Sequence, residues 1–289
     1  MLKSHNRYSY SPIVDRLDFS WPNEKRLAVY FTISLECFSF GEGGGVELRP
    51  AGGHQPDVVN FTWRDYGVRV GIWRMLELFE EFNIPFSLLL NSEIYSYAPG
   101  LMDVLRSKAV EIIGHGKTNS FKQGALPEEE ERKYIQETQE EIKKHSRVET
   151  KGWLGPALSE SFVTPDLLQE EGFEYILEWG FDDQPIWLKT RKGQILSIPL
   201  SQEINDLACI IGRQQSVQTY NDMVMDQFDE MERQSAQQSL VLGIPMHPFV
   251  MGQPFRLVYL RQILTYVSKL NQSIWLTHPG AINNYFKTL

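Results

Sequence analysis

Glu111-Ile112-Ile113-Gly114-His115-Gly116 is a short apolar run closed by a histidine between two glycines. Strand ends in α/β proteins open onto the face where ligands sit. Flanking glycines let the backbone turn sharply and leave an imidazole uncovered. Two other titratable groups have the same setting. Glu36 ends the run Leu27 to Leu35, and His247 follows Leu240-Val241-Leu242-Gly243-Ile244-Pro245-Met246. Three such groups at the ends of three expected strands read as one active site assembled from distant parts of the chain.

From Trp21 onward, apolar runs alternate with helical patterns, which implies parallel strands joined by crossover helices. After Leu27-Ala28-Val29-Tyr30-Phe31-Thr32-Ile33, a loop over residues 40–65 carries Gly41, Gly43, Gly44, Gly45, Gly52 and Gly53. A loop of that length in a compact domain is usually a functional lid or disordered. It lacks the Gly-Lys-Ser/Thr ending of a phosphate loop, so nucleotide binding has little support. A helix over 66–82, strands at 86–90 and 111–113, and a charged helix over 127–145 follow. In that helix Pro127 suits the first position, and the ends are charged to match the dipole. Further units are strands near 151–154, 175–177 and 195–199, helices over 164–171 and 220–233, the strand ending at His247, a helix over 255–269, a strand at 274–276 and a terminal helix. Seven or eight strands without linker or internal repeat predict one α/β barrel domain over residues 21–289, preceded by an N-terminal arm over 1–20.

The chain has 289 residues, 42% of them hydrophobic and 22% charged, with formal net charge −9. A core is available and a barrel of about 250 residues fits. There is no basic stripe, so nucleic acid is not an expected partner. Neither a signal peptide nor a run of roughly 18 apolar residues is visible, so no membrane association is expected. Cys37 and Cys209 form no zinc or CxxC pattern. A cytoplasmic protein with reduced thiols is the plain expectation.

Six stretches, in order, resemble the polysaccharide deacetylase (NodB-homology) superfamily, in particular its branch of metal-independent allantoinases. They are Asp65-Tyr66-Gly67-Val68-Arg69-Val70-Gly71-Ile72-Trp73-Arg74, Gly114-His115-Gly116-Lys117-Thr118-Asn119-Ser120 and Gly152-Trp153-Leu154-Gly155-Pro156-Ala157-Leu158-Ser159-Glu160-Ser161. Asp182-Asp183-Gln184-Pro185-Ile186-Trp187, Glu203-Ile204-Asn205-Asp206 and His247-Pro248-Phe249 with Gly252-Gln253-Pro254 complete the set. The resemblance implies a deformed (β/α)7-type barrel and hydrolysis of a carbon–nitrogen bond other than a peptide bond. Metal-dependent members carry two adjacent aspartates where this chain has Leu35-Glu36-Cys37, and a second histidine where it has Asn119. If a metal is held, Glu36 and His115 are the retained ligands. Two fall short of the three firm protein ligands zinc generally takes, so no firmly bound metal or other cofactor is expected.

Amide hydrolysis needs an activated water, stabilisation of an oxyanion and a proton for the departing nitrogen. Glu36 is the candidate base; the alternative is a carboxylate paired with Arg69 or Arg74. His115 holds the water, polarises the carbonyl or carries a proton; the alternative is a turn histidine bonded to backbone. His247 is the candidate proton donor, against a packing role beside Pro248. Asp183 either orients a histidine, binds substrate or makes a turn. Glu203, Asn205 and Asp206 are candidates to hydrogen-bond a polar substrate ring, against an ordinary turn. Asn119 and Glu160 are similar cases. Trp153 and Trp187 either wall the substrate or belong to the core. The Gly-rich loop is expected to fold over the pocket. The partner is then a small polar linear or cyclic amide, with a homo-oligomer as the default assembly. Two rival readings stand: a metal-dependent carbohydrate deacetylase, and a non-catalytic ligand-binding member of the fold.

Overall fold

The computed structural model describes residues 5–50, 55–108, 110–147, 149–270 and 272–289. Gly52, Gly53 and His54 of the expected lid lie outside the described residues. The strands are β1 (Leu27–Leu35), β2 (Ser87–Leu90), β3 (Glu111–Gly114), β4 (Gly152–Trp153), β5 (Tyr175–Ile176), β6 (Ile186–Lys189), β7 (Gln194–Ser197), β8 (Leu240–Met246) and β9 (Trp275–Leu276). They form one sheet in the order β6-β7-β5-β4-β3-β2-β1-β8, with β9 also on β1. All pairings are parallel except β6 with β7. Two backbone hydrogen bonds link the sheet's ends: Val241 N–H donates to Asp183 O (2.8 Å) and Ser201 N–H to Gly243 O (3.2 Å). The result is the barrel expected from the alternation of strands and helices, in the deformed form that the resemblance implies.

All nine residues of β1 are buried, as a parallel strand covered on both faces requires. Side chains alternate across a strand, and β1 divides accordingly. Leu27, Val29, Phe31, Ile33 and Leu35 pack outward under the helices, whereas Ala28 and Tyr30 face the barrel interior with Leu89, Ile113, Leu154, Leu196 and Val241. Continuing each inner row past its strand arrives at Ser34 and Glu36, at His115, and at Pro245 and His247. The pleat therefore aims these groups at one mouth.

The structure corrects several expectations. β6 was not anticipated: its first two residues, Ile186 and Trp187, end the Asp182–Trp187 motif, and a single antiparallel hairpin strand breaks the βα rhythm. The helix expected over 66–82 begins earlier, at Val58, and runs to Glu81 through a π-turn at Gly67–Gly71. Asp57 caps it by accepting from Asn60 N–H, so the long loop is shorter than read. Pro127 is the cap and not the first residue of the helix Glu128–Ser146.

The N-terminal arm is tied to the barrel by two charged clamps. Arg7 grips Asp166 and Arg16 grips Asp182, each with two nitrogens on two oxygens. Trp21 is 1% exposed, and its indole N–H donates to Leu240 O at 2.9 Å.

Gly71 decides how closely this helix approaches the segment after His247. A Cβ at that position would lie 2.1 Å from Pro248 O, a contact side chains do not make. Gly71→Ala is expected to destabilise the fold by about 1–3 kcal/mol through overpacking. A urea melt with an unchanged midpoint would contradict this contact.

Candidate active site

The sharp turn after β3 that frees His115 is made possible by Gly116, whose φ is +67°, a left-handed value costly for any side-chain-bearing residue. Glu36 is 7% exposed, His115 3% and His247 5%. They converge. Glu36 Oε1 lies 3.4 Å from His115 Nε2 and 3.6 Å from His247 Nε2. The three line a cavity of about 390 Å³, walled also by Ser34, Phe38, Gly44, Gly45, Val46, Leu89, Asn119, Lys122, Leu154, Ala157, Leu158, Leu200, Gln202, Asn205, Leu207 and Pro245.

Each imidazole is fixed from behind. His115 Nδ1 sits 2.5 Å from Leu154 O; a carbonyl can only accept, so Nδ1 carries the proton and Nε2 faces the cavity. His247 Nδ1 sits 2.6 Å from Asp206 Oδ1, and its backbone N–H donates to Asp206 Oδ2 at 2.8 Å. Asp206 is fully buried. Were both histidines neutral, two Nε2 lone pairs would point at one carboxylate oxygen. A proton on one imidazole turns that repulsion into attraction. His247 is the better holder. Burial pulls its pKa down, but the Asp206 charge and hydrogen bond and the Glu36 charge together raise it above the ordinary histidine value.

The remaining candidates divide. Asn119 and Asn205 do line the cavity. Asn119 Oδ1 accepts from Asn91 Nδ2 at 3.0 Å, and Asn91 Oδ1 accepts from Cys37 N–H at 2.9 Å. Asn205 Oδ1 accepts from Leu207 N–H at 2.9 Å and so starts the following turn. Asp206 belongs to the site, but as the partner of His247 and not as a substrate contact. Asp183 does neither job. It joins the start of β8, six residues before His247, roughly 20 Å away at a strand's rise per residue.

Glu203 turns outward to Arg213 at 2.8 Å, its side chain 85% exposed. Glu160 accepts from Trp179 Nε1 at 2.8 Å and does not line the cavity; burial pushes its pKa up to about 7. Trp153 is core: its ring packs on Phe173 with centroids 5.3 Å apart. Trp187 packs among the residues that plug the other end of the barrel, near Phe286. Arg69 pairs with Asp65 and Arg74 with Tyr66, so neither claims Glu36.

Sequence reasoning missed Ser34, Lys122, Gln202 and Asn91. Ser34 was readable, since it shares the inward parity of Glu36. The Gly-rich segment does reach over the pocket. Gly44 and Val46 carbonyls accept from Arg64 Nη1, Arg64 lies over the Phe38 ring at 4.3 Å, and Ser120 Oγ donates to Gly43 O at 3.1 Å. Burial, then the Glu93 and Glu36 charges, push the Cys37 thiol up to about 12, which disarms it as a nucleophile.

The Asn119 position supplies no firm ligand for a transition metal. Zinc takes three or four firm ligands, whereas Asn119 contributes a neutral amide oxygen already engaged by Asn91. Among the described residues, no group of three or more His, Cys, Asp or Glu is placed to hold a metal ion. Among them, too, no helix is long and apolar enough to cross a membrane.

No family model matches the chain. A protein of Schizosaccharomyces pombe named “Putative polysaccharide deacetylase” is 23% identical over 89% of this chain and 88% of its own length. The crystal structure of Puue allantoinase superposes with a TM-score of 0.82 at 24% identity, covering 97% of this chain and 95% of that one. A structure described as a “probable Polysaccharide deacetylase” from Pseudomonas aeruginosa PAO1 gives 0.82 at 21% identity, over 96% and 98%. In sequence this chain resembles the polysaccharide deacetylase (NodB-homology) superfamily, and over nearly its whole length it has that superfamily's deformed barrel fold.

Proposed function

We propose that this protein hydrolyses a carbon–nitrogen bond other than a peptide bond, in a small linear or cyclic amide, without a tightly held metal. The observation that carries the reading is the single oxygen of Glu36 faced by two imidazoles, each held by its Nδ1. A water resting on that triangle meets a base and an acid at once. Glu36 takes a proton from the water as its oxygen bonds to the carbonyl carbon. His115 holds the water in line. His247, protonated, gives its proton to the nitrogen as the C–N bond breaks, leaving a carboxylic acid and an amine. Glu36 then returns its proton to solvent and His247 regains one. The lid residues Gly44 to Val46 keep bulk water from the site.

A cavity of about 390 Å³ is at the small end of ligand sites, and it favours a compact polar molecule over a polymer. A homo-oligomer acting in the cytoplasm completes this reading.

Glu36→Gln is expected to lower kcat by roughly a hundred- to ten-thousand-fold while ligand still binds by calorimetry. Full activity in this variant would remove Glu36 from the chemistry. Wild-type protein that turns over no amide, yet binds one, would favour a ligand-binding role instead. Elemental analysis of protein purified without chelator should find no stoichiometric metal, and chelation should leave turnover unchanged. Stoichiometric zinc, manganese or nickel would support the metal-dependent deacetylase.

The sign of the pH dependence follows from His247. Its pKa is raised on folding, so the protonated donor, and the stability it contributes, are fully present below the unfolded value and lost as pH rises through the folded one. The alkaline limb of kcat/KM should therefore lie above an ordinary histidine pKa of about 6.5. Asp206→Asn should move it down; a limb that does not move would deny His247 the acid role.

A further inference from the structure

We propose that Glu178 is a positioning residue for His115, acting through the peptide unit between Leu154 and Gly155. The carbonyl of that unit accepts from His115 Nδ1–H at 2.5 Å. Its N–H, on the opposite edge of a trans peptide, donates to Glu178 Oε1. The other carboxyl oxygen accepts from Leu177 N–H at 3.1 Å, and Leu177 N–H also donates to Trp153 O at 3.1 Å. Glu178 thus joins the end of β5 to the turn after β4 and fixes the plane of the group that His115 leans on.

The consequence is electronic as well as geometric. A peptide N–H that donates to a carboxyl polarises its own C=O, and hydrogen bonds in such chains strengthen one another. The carbonyl becomes a better acceptor for Nδ1–H. This fixes the tautomer that presents Nε2 to Glu36. The two histidines are then supported alike, His247 by Asp206 directly and His115 by Glu178 through one peptide.

The turn is built for this contact. Gly155 lies so close to Ser159 O that a Cβ would come within 2.6 Å of it. Ala157 and Leu158, which follow and wall the cavity, hold φ of 54° and 55°. Such values for residues with side chains persist where the surroundings impose them. Burial, with help from the Glu160 charge, pushes the Glu178 carboxyl well above the usual range against the opposing backbone N–H groups. An oxygen accepts from Gly155 N–H whether or not the carboxyl is protonated.

The effect on turnover rests on the hydrolase reading; the effect on the imidazole does not. Long-range 15N–1H spectra of the histidine rings in the free protein test the latter. In the wild type, neutral His115 should be the Nδ1–H tautomer. Glu178→Leu should mix in the other tautomer. Glu178→Gln, which keeps one acceptor oxygen, should restore most of the wild-type spectrum. In parallel, kcat should fall about tenfold in the Leu variant, the scale of one hydrogen bond, with KM unchanged and recovery in Gln.

Identical ring spectra in folded Glu178→Leu and wild type would overturn the proposal. Should the Leu variant not fold, the Gly155 amide proton decides. A far-downfield resonance that moves in Glu178→Gln is expected, and one at an ordinary, unmoved position refutes it. A ring that responds in a protein that hydrolyses no amide would sink the hydrolase reading and leave the positioning role standing.

Discussion

The centre of this molecule is one carboxylate oxygen faced by two ring nitrogens at 3.4 and 3.6 Å. Such a grouping, almost fully removed from water, is costly unless every other polar atom around it is paired and the charges alternate. Here they do. Reading across the site, Asp206 is negative, His247 favours the positive form and Glu36 is the next carboxylate. His115 closes the row against a carbonyl. The proton shared among these groups keeps the cluster from repelling itself, and in the proposed reaction the same proton is the one given to the leaving nitrogen. Stability of the buried cluster and readiness for chemistry have one origin.

The surrounding architecture exists at two length scales. Over the length of a strand, alternation across the pleat carries outward residues under the helices and inward residues into the barrel, where Tyr30, Tyr175, Leu196 and Val241 fill one end. The other end is left to groups that follow the strands. Over the width of the barrel, close backbone approaches set the spacing. Gly71 lies directly against Pro248 and Gly155 against Ser159. Small residues at these seams bring the turns after β8 and β4 inward, which is why His247 and Leu154 reach the same cavity as Glu36.

Much of this was legible beforehand because it is periodic. Buried runs such as Leu27–Leu35 and Leu240–Met246 announce parallel strands, and a titratable residue just past each announces the mouth. The same rule applied strictly would have gone further. With Leu154 facing inward, Trp153 must face outward, so its place in the core was readable. Glu178, one residue beyond Leu177, carries the same strand-end signature as Glu36. The roles of Asp183 and Asp206 were harder. Both sit in acidic turn sequences, and local pattern gives no sign that one meets the start of β8 and the other its end.

Sequence alone determined the class of fold, the buried strands, the convergence signal of the three strand-end groups Glu36, His115 and His247, and the neutral side chain of Asn119 in the second motif. Those properties reside in the identity of single residues and in repeats of two or a few positions. Tertiary structure alone decided that Asp206 stands behind His247 and the Leu154 carbonyl behind His115, that Glu203 and Asp183 lie elsewhere, and that Trp187 plugs the far end. Such assignments depend on distances of a few ångström between segments up to two hundred residues apart. Hydrogen-bond strength falls away within about an ångström of its optimum, so pairing is settled by packing that no local pattern encodes.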